Sequence, residues 1–367
     1  MMSSKKVLTK GYGQRAATAC ALMVLVVLLV VPSTGMGASK PTTVAELALY
    51  QGPDREQILI EGAKKEGSVT FYIANTTLKQ VILERFPKKY PFIKPELWRS
   101  SAPPALKRIM EEYRGKHYIV DAVGSSSAIV NILAREGILQ EYDSPELRSY
   151  PDAVMKKGEK GIYFCSHREI YLGMGFNTTL VSPAEAPKTY EDLLDPKWKG
   201  KMSICGTETG VHWIGVAVQA KGRDFIEKLT QQDVKVQNVS GKALFNMCVS
   251  GEVPLSPSMY NSAFTVAKKQ GVPVEWYPLE PVYAHTSFVG LATKAPHPHA
   301  AMLLLDYTLS KEGQEALVEV GGLSSARTDV VSTDMKCEKM YLENLFSLED
   351  YEKNYAEWEK LLRQFIK

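Results

Sequence analysis

Several apolar runs in this chain end in hydroxyl, amide or charged side chains. Val69 to Ala74 is followed by Asn75, Thr76 and Thr77, and the run through Trp98 by Arg99, Ser100 and Ser101. The run through Val123 leads to Gly124, Ser125, Ser126 and Ser127, and "KMSIC" leads to Gly206, Thr207, Glu208 and Thr209. "VPLSP" leads to Tyr260 and Asn261. Each junction opens a segment with helical spacing. The free N–H groups and positive dipole end of a helix start favour anionic or carbonyl groups. Such a set suits the holding of a small polar ligand without any reaction. Ser, Thr, Asn and Asp are also the preferred N-caps, so each junction alone has a structural reading. Their common position after a strand, where open α/β sheets bind ligands, argues for a site.

Four residue types add specific chemistry. The Arg99 guanidinium can grip a carboxylate or phosphate through two parallel hydrogen bonds, or form a surface ion pair. Glu208 can face an amine or a metal, or simply sit well at a helix start. Tyr260 can stack on a ligand or bind a metal through its phenol, or pack as an ordinary buried tyrosine. Tyr283 and His285 lie near a second crossing of the chain between lobes and can line a cleft or a hinge. Signals for catalysis are weak. Gly-x-Ser-x-Gly, His-Glu-x-x-His, phosphate-loop and dinucleotide fingerprints are absent. Cys165-Ser166-His167 places a thiol near an imidazole with nothing to orient the base. His297-Pro298-His299 has no third ligand nearby in sequence. The expectation is a binding protein, with no catalytic residue and no resident cofactor.

The elements that must position these residues alternate. "DREQILIEGAKKEG" reads as a helix closed by Gly67, "SVTFYIA" as a strand, "TLKQVILERFPKKY" as a helix and "FIKPELW" as extended chain. "PALKRIMEEYRGK" is a helix, "HYIVDAV" a strand and "AIVNILAREG" a helix. After a looser middle, helices are expected at 210–221, 224–231, 241–250 and 261–270. Strands are expected at 233–237, 253–257 and 272–276, then a strand at 286–295 and helices at 298–309 and 311–320. Repeated strand–helix alternation argues for an α/β fold with mostly parallel sheets covered on both faces. The division it implies is two lobes: 46–172 with 287–330, and 173–286. The chain crosses between them near "LGMGFN" and "YAHTSF". Residues 331–367 form a C-terminal helical segment packing on the lobes.

The first 37 residues read as a secretory signal peptide. Lys5, Lys6, Lys10 and Arg15 precede an apolar run from Ala16 to Val31, and Gly35-Met-Gly37 offers a cleavage site before Ala38. The formal net charge of +3 falls to −1 without those four cations, so no basic character argues for nucleic acid. The chain is expected to work in the periplasm, as a monomer. Cys165, Cys205, Cys248 and Cys337 remain, an even number that permits disulfides without choosing a pair.

Longer stretches carry a family resemblance. They are "LIEGAKKEGSVTFY", "GMGFNTTLV" leading into "PKTYEDLLDPKWKGKM", "SGEVPLSPSMYNSAFTVAKKQGVPVEW" and "GLATKAPHPHAAMLLLDYTLSKEGQEAL". In these the chain resembles the periplasmic substrate-binding proteins of ABC importers, in the family-1 group that includes ferric-iron binders. The resemblance implies two α/β lobes hinged by crossover strands and closing on a ligand (a type II-like arrangement). It also implies delivery to an inner-membrane permease with a cytoplasmic ATPase. Iron-binding members carry two adjacent tyrosines where this chain has Tyr260-Asn261. Ferric iron is thus the alternative cargo, with Tyr260 its one phenolate, and a small organic anion the preferred one. A periplasmic sensor or docking module on the same scaffold is the other alternative.

Overall fold

The computed structural model describes residues 40–100, 102–331 and 348–366, and the backbone of the strands Leu8–Thr9 and Lys339–Leu342. Leu8–Thr9 pairs antiparallel with Lys339 and Met340. The apolar run and cleavage site assigned to a signal peptide, and Cys337, lie outside the described residues. Among the described residues no helix is long and apolar enough to cross a membrane.

The strand Ser68–Ile73 follows the helix Arg55–Glu66, which Gly67 ends in the left-handed conformation at φ 71°. A side chain at that φ is strained, so glycine fits the stop. Ser68–Ile73 pairs in parallel with Lys94–Arg99 on one side and with Ala122–Ser126 on the other. Beyond Ala122–Ser126 the sheet turns antiparallel. Its neighbour is the strand Val282–Ala292, which pairs in turn with the sixteen-residue strand Ile162–Asn177. Leu255–Tyr260 and Val274–Tyr277 add antiparallel to the far part of Ile162–Asn177. Ser203–Cys205 and Lys235–Gln237 form a separate parallel pair. The sheet is therefore mixed, with its parallel part smaller than alternation alone implies. The reason is the length of Ile162–Asn177 and Val282–Ala292, which run past one another and each collect partners from both halves of the molecule.

Apolar contacts divide along these two strands. Cys165 and Ile170, with Val289 and Leu291, belong to a core built from Leu47 to Tyr150 and Ala300 to Ala326. Leu172, Met174 and Phe176, with Tyr283, belong to a second core built on Trp198, Ile204, Trp213 and Leu229. The change falls between Ile170 and Leu172 on one strand and between Tyr283 and Val289 on the other. The C-terminal helix Leu348–Arg363 adds Trp358, Leu361 and Leu362 to the second core. Trp358 lies so close to Gly215 that a Cβ there would be 2.5 Å from the indole.

Local differences from the sequence expectation have identifiable causes. The strand placed at 117–123 is Ala122–Ser126, so Gly124 to Ser126 lie inside it and not after it. Asp121 ends the preceding irregular stretch as a fully buried carboxylate, taking the Thr70 N–H at 2.7 Å. The strand placed at 286–295 starts at Val282, because pairing with Leu172 and Tyr171 extends it backwards. Cys165, Cys205 and Cys248 are buried free thiols.

Glu66 shows how helix starts are secured away from the crossing. Its carboxylate accepts from His299 Nδ1 at 2.6 Å, Ala300 N at 2.8 Å and His299 N at 3.2 Å, at the start of the helix Pro298–Leu309. Burial opposes its ionisation, but these bonds outweigh burial and hold its pKa below the usual value. A lowered folded pKa stabilises fully above the unfolded carboxylate value and loses that stability as pH falls through the folded one. Glu66→Gln is expected to cost about 1 kcal/mol near neutral pH. In urea titrations, the gap between wild type and variant should close as pH drops below about 4.3. A gap that does not narrow as the pH falls would refute the assignment.

Candidate functional site

The junctions singled out in the sequence fall into three situations. Asn75 is buried and its Oδ1 accepts from Leu78 N at 3.0 Å, capping the helix Thr76–Glu84. Thr76 is exposed. Thr77 packs on Gly321, where a Cβ would be 2.4 Å from its methyl. The next residue, Gly322, packs on Ser262 O and Thr265 of the helix Asn261–Lys269. The turn Gly321–Gly322 therefore brings the Asn75–Thr77 junction against the Tyr260–Asn261 junction.

Arg99 is exposed at the end of the edge strand Lys94–Arg99, and Ser100 N donates to Ile73 O. That strand is three places from Val282–Ala292 in the sheet, roughly 14 Å at about 4.8 Å per strand. Arg99 thus lies at the outer rim of the region where the other junctions meet.

Of the helices opened by these junctions, three begin without a side-chain cap: Ser127–Arg135 after Ser126, Glu208–Lys221 after Thr207, and Asn261–Lys269 after Tyr260. Their first N–H groups are the unsatisfied donors of any helix start. Buried polar atoms lie beside two of them. Ser125 is 2% exposed, its carbonyl accepts from Ser287 Oγ at 3.2 Å, and its own Oγ has no partner. Asn261 is 3% exposed and its Oδ1 accepts from Tyr171 N at 2.9 Å. Since a backbone N–H can only donate, the atom facing Tyr171 is the oxygen, and Nδ2 is left with no partner. Thr286 Oγ1, on the crossing strand, is likewise buried and unpartnered. Native interiors pair nearly all such atoms with protein, water or ligand.

The third start differs. Gly210 lets the helix Glu208–Lys221 begin tight against the strand Ser203–Cys205, since a Cβ at that position would meet Cys205 O at 1.7 Å. Thr207 is exposed, with Oγ1 3.1 Å from Cys205 Sγ, and Thr209 packs near Gly241. The Glu208 side chain is 68% exposed, with its carboxylate 3.8 Å from His212 Nε2. His212 is buried, and its ring lies nearly parallel to Tyr283 at 4.7 Å and to His285 at 6.3 Å. Tyr260 lies 6.3 Å from His285 and packs against both cores. Tyr355 of the C-terminal helix meets His212 edge-on at 6.0 Å. Burial, then the negative charges of Glu208 and Glu359, push the Tyr355 phenol up to about 12.

Glu208, Tyr260, Tyr283 and His285 are thus brought together, with Asn261 adjacent. His212 and Tyr355 complete the group and were not singled out. The one trace of His212 in the sequence is its place four residues after Glu208, on the same helix face.

A second constellation lies at the opposite, amino-terminal end of the parallel strands. Ser68 Oγ is 3.3 Å from His297 Nε2, and His297 Nδ1 is 2.9 Å from Asp121 Oδ2. These separations match a serine–histidine–aspartate relay. The Asp121 carboxylate also accepts from Thr70 N and His297 N, so it ties a strand to a helix start. The neighbouring helix-start donors, His299 N and Ala300 N, are taken by Glu66, which leaves them no part in holding an oxyanion. His297 and His299 serve different carboxylates and do not converge as metal ligands.

Two α/β lobes joined by two long crossing strands, with helix starts from both meeting at the crossing, define a two-lobed ligand-binding protein. The chain belongs to the bacterial extracellular solute-binding protein family, whose model matches residues 121–341, more than half of the chain. A spermidine/putrescine-binding periplasmic protein of Haemophilus influenzae is 25% identical over 214 residues, 54% of this chain and 58% of that protein. The chain spans a little over half the length of the curated relatives it matches. Iron-bound HitA from Pseudomonas aeruginosa superposes with a TM-score of 0.62 at 17% identity, covering 81% of this chain and 99% of that one. AfuA from Actinobacillus pleuropneumoniae, solved with fructose-6-phosphate, gives 0.59 at 20% identity, covering 82% and 98%. At these identities the two structures speak for the fold alone.

Proposed function

We propose that this protein is the receptor of an ABC import system. It captures a small polar, anion-bearing ligand between its lobes and delivers it to an inner-membrane permease served by a cytoplasmic ATPase. It works in the periplasm as a monomer, after removal of residues 1–37. The lobes are 46–172 with 287–330, and 173–286, followed by the segment 331–367. No cofactor and no nucleic acid takes part. The observation that carries this reading is the pair of uncapped helix starts, Ser127–Arg135 and Asn261–Lys269, each beside a buried polar atom without a partner. Such starts are anion sites in general. Ligand binding there would draw the lobes together, shifting an open–closed equilibrium.

Relatives and neighbours are named for a polyamine, for iron and for a sugar phosphate, so the scaffold serves ligands of different charge. Ferric iron is the second reading, with Tyr260 as its phenolate.

The test is a thermal-shift screen of the exported protein, unfolded and refolded to strip carried-over ligand. The panel holds ferric iron, ferric citrate, small carboxylates, phosphonates and sugar phosphates. A ligand of the folded state should stabilise by about 2.7 kcal/mol at a hundredfold excess over Kd. Stabilisation by an organic anion is the expected result. A tyrosinate–iron colour lost in Tyr260→Phe would replace it with the iron reading. No shift with any member would overturn the receptor reading for these ligand classes.

A further inference from the structure

The three uncapped helix starts do not carry the same sign of charge. Ser127–Arg135 and Asn261–Lys269 have no acidic residue in the first turn. Glu208–Lys221 begins with Glu208 itself. An anionic ligand group is favoured at the first two, where only N–H dipoles and neutral side chains meet it. At the third, the chain's own carboxylate adds a negative charge to the first turn. A second anionic group is repelled there, and a cation is attracted.

The surroundings of Glu208 point the same way by an independent route. Its carboxylate stands beside His212, which is grouped with Tyr283, His285, Tyr260 and Tyr355 at ring separations of 4.7 to 6.4 Å. The negative π face of an aromatic ring attracts an ammonium group, and a nearby carboxylate adds a charge-assisted hydrogen bond. Tyr260, His285 and Tyr355 are the half-buried members, and His212 and Tyr283 are buried. Tyr260 is also the residue before Asn261, so the anion-favouring start and the Glu208 corner share a wall.

We infer that the ligand is bipolar: an ammonium group sits at Glu208 against the Tyr260 and His285 rings, and an anionic group sits at the starts of Asn261–Lys269 and Ser127–Arg135. The inference rests on the proposed function and narrows its ligand class to compact molecules with both charges. Glu208 acts here as the residue that selects the ligand, reading its positive end.

Matched probes separate this from the broader reading. Phosphoethanolamine and β-alanine carry both charges; ethyl phosphate and propionate are their ammonium-free counterparts. Calorimetric titration of the exported protein should show at least one bipolar probe binding tenfold or more tighter than its counterpart. Glu208→Gln, at an exposed position, should keep the wild-type melting temperature and reduce that preference to under threefold. A counterpart that binds as tightly as its bipolar partner overturns the inference while leaving the anion receptor intact. A preference that survives Glu208→Gln overturns the assignment of the ammonium to that corner. Binding by neither set overturns the inference, and if ferric iron alone binds, the anion reading falls with it.

Discussion

Asn261→Asp should abolish binding of an anionic ligand, weakening it at least a hundredfold. The substitution changes one atom. The oxygen that accepts from Tyr171 N at 2.9 Å is kept, and the unpartnered Nδ2 becomes a carboxylate oxygen. A donor aligned with a helix start is thereby replaced by a like charge. Losing a hydrogen bond to a charged group costs about 1.5–3 kcal/mol, and juxtaposed like charges in an interface cost several more. At about 1.4 kcal/mol per tenfold, the loss exceeds two decades. Calorimetry with whichever anion stabilises the wild type gives the readout. Asn261→Ala is the companion, since it removes Nδ2 without adding charge and should lose tenfold to a hundredfold. Equal affinity in wild type and both variants would remove Asn261 from the site. The melting temperature of Asn261→Asp shows whether the Tyr171 contact still holds; Asn261→Ala removes that acceptor too, and its melting temperature reports the cost.

The largest effect on stability is expected at Asp121. Its side chain is fully buried, and its two oxygens accept from Thr70 N, His297 N and His297 Nδ1 at 2.6 to 2.9 Å. Burial raises its pKa, against the opposing pull of those bonds. Asp121→Ala leaves two backbone N–H groups and an imidazole N–H without their acceptor. At about 1–3 kcal/mol per buried unsatisfied group, the cost is about 3–5 kcal/mol once partial water access to His297 is allowed for. Asp121→Asn keeps one acceptor oxygen and should cost about half as much. Denaturant midpoints at constant slope measure both. A loss under 1 kcal/mol for the alanine variant would mean that the strand and the helix start are held together by other contacts. Ser68→Ala, which removes only the 3.3 Å contact to His297, should change stability little.

These two residues illustrate how far the sequence could be read. Asn261 was visible because an amide followed a short apolar run and opened a helix. Its orphaned nitrogen was not, since that follows from Tyr171 lying ninety residues earlier in the chain. Asp121 was passed over as part of a strand, "HYIVDAV", because period-two apolarity says nothing about a carboxylate that gathers N–H groups from two other elements. Asn75, another of the junction residues, has its side-chain oxygen committed to Leu78 N, the capping role its position in sequence equally allowed. Arg99 was singled out for its chemistry, but its strand lies at the sheet edge, and strand order is not a local property.

The sequence by itself determined the local elements and the class. Helical spacing, glycine stops such as Gly67 and polar residues after apolar runs are short-range signals, because capping and periodicity act within a few residues. They were enough for an α/β chain of two lobes with candidate ligand groups at helix starts. Only the tertiary structure decided the mixed sheet, since pairing partners of Ile162–Asn177 and Val282–Ala292 come from both halves of the chain. It alone assembled His212, Tyr260, Tyr283, His285 and Tyr355 beside Glu208, because ring contacts among four segments depend on helix packing and strand register. It also distinguished capped from uncapped helix starts. That distinction lies in side-chain geometry, which residue identity permits but does not fix.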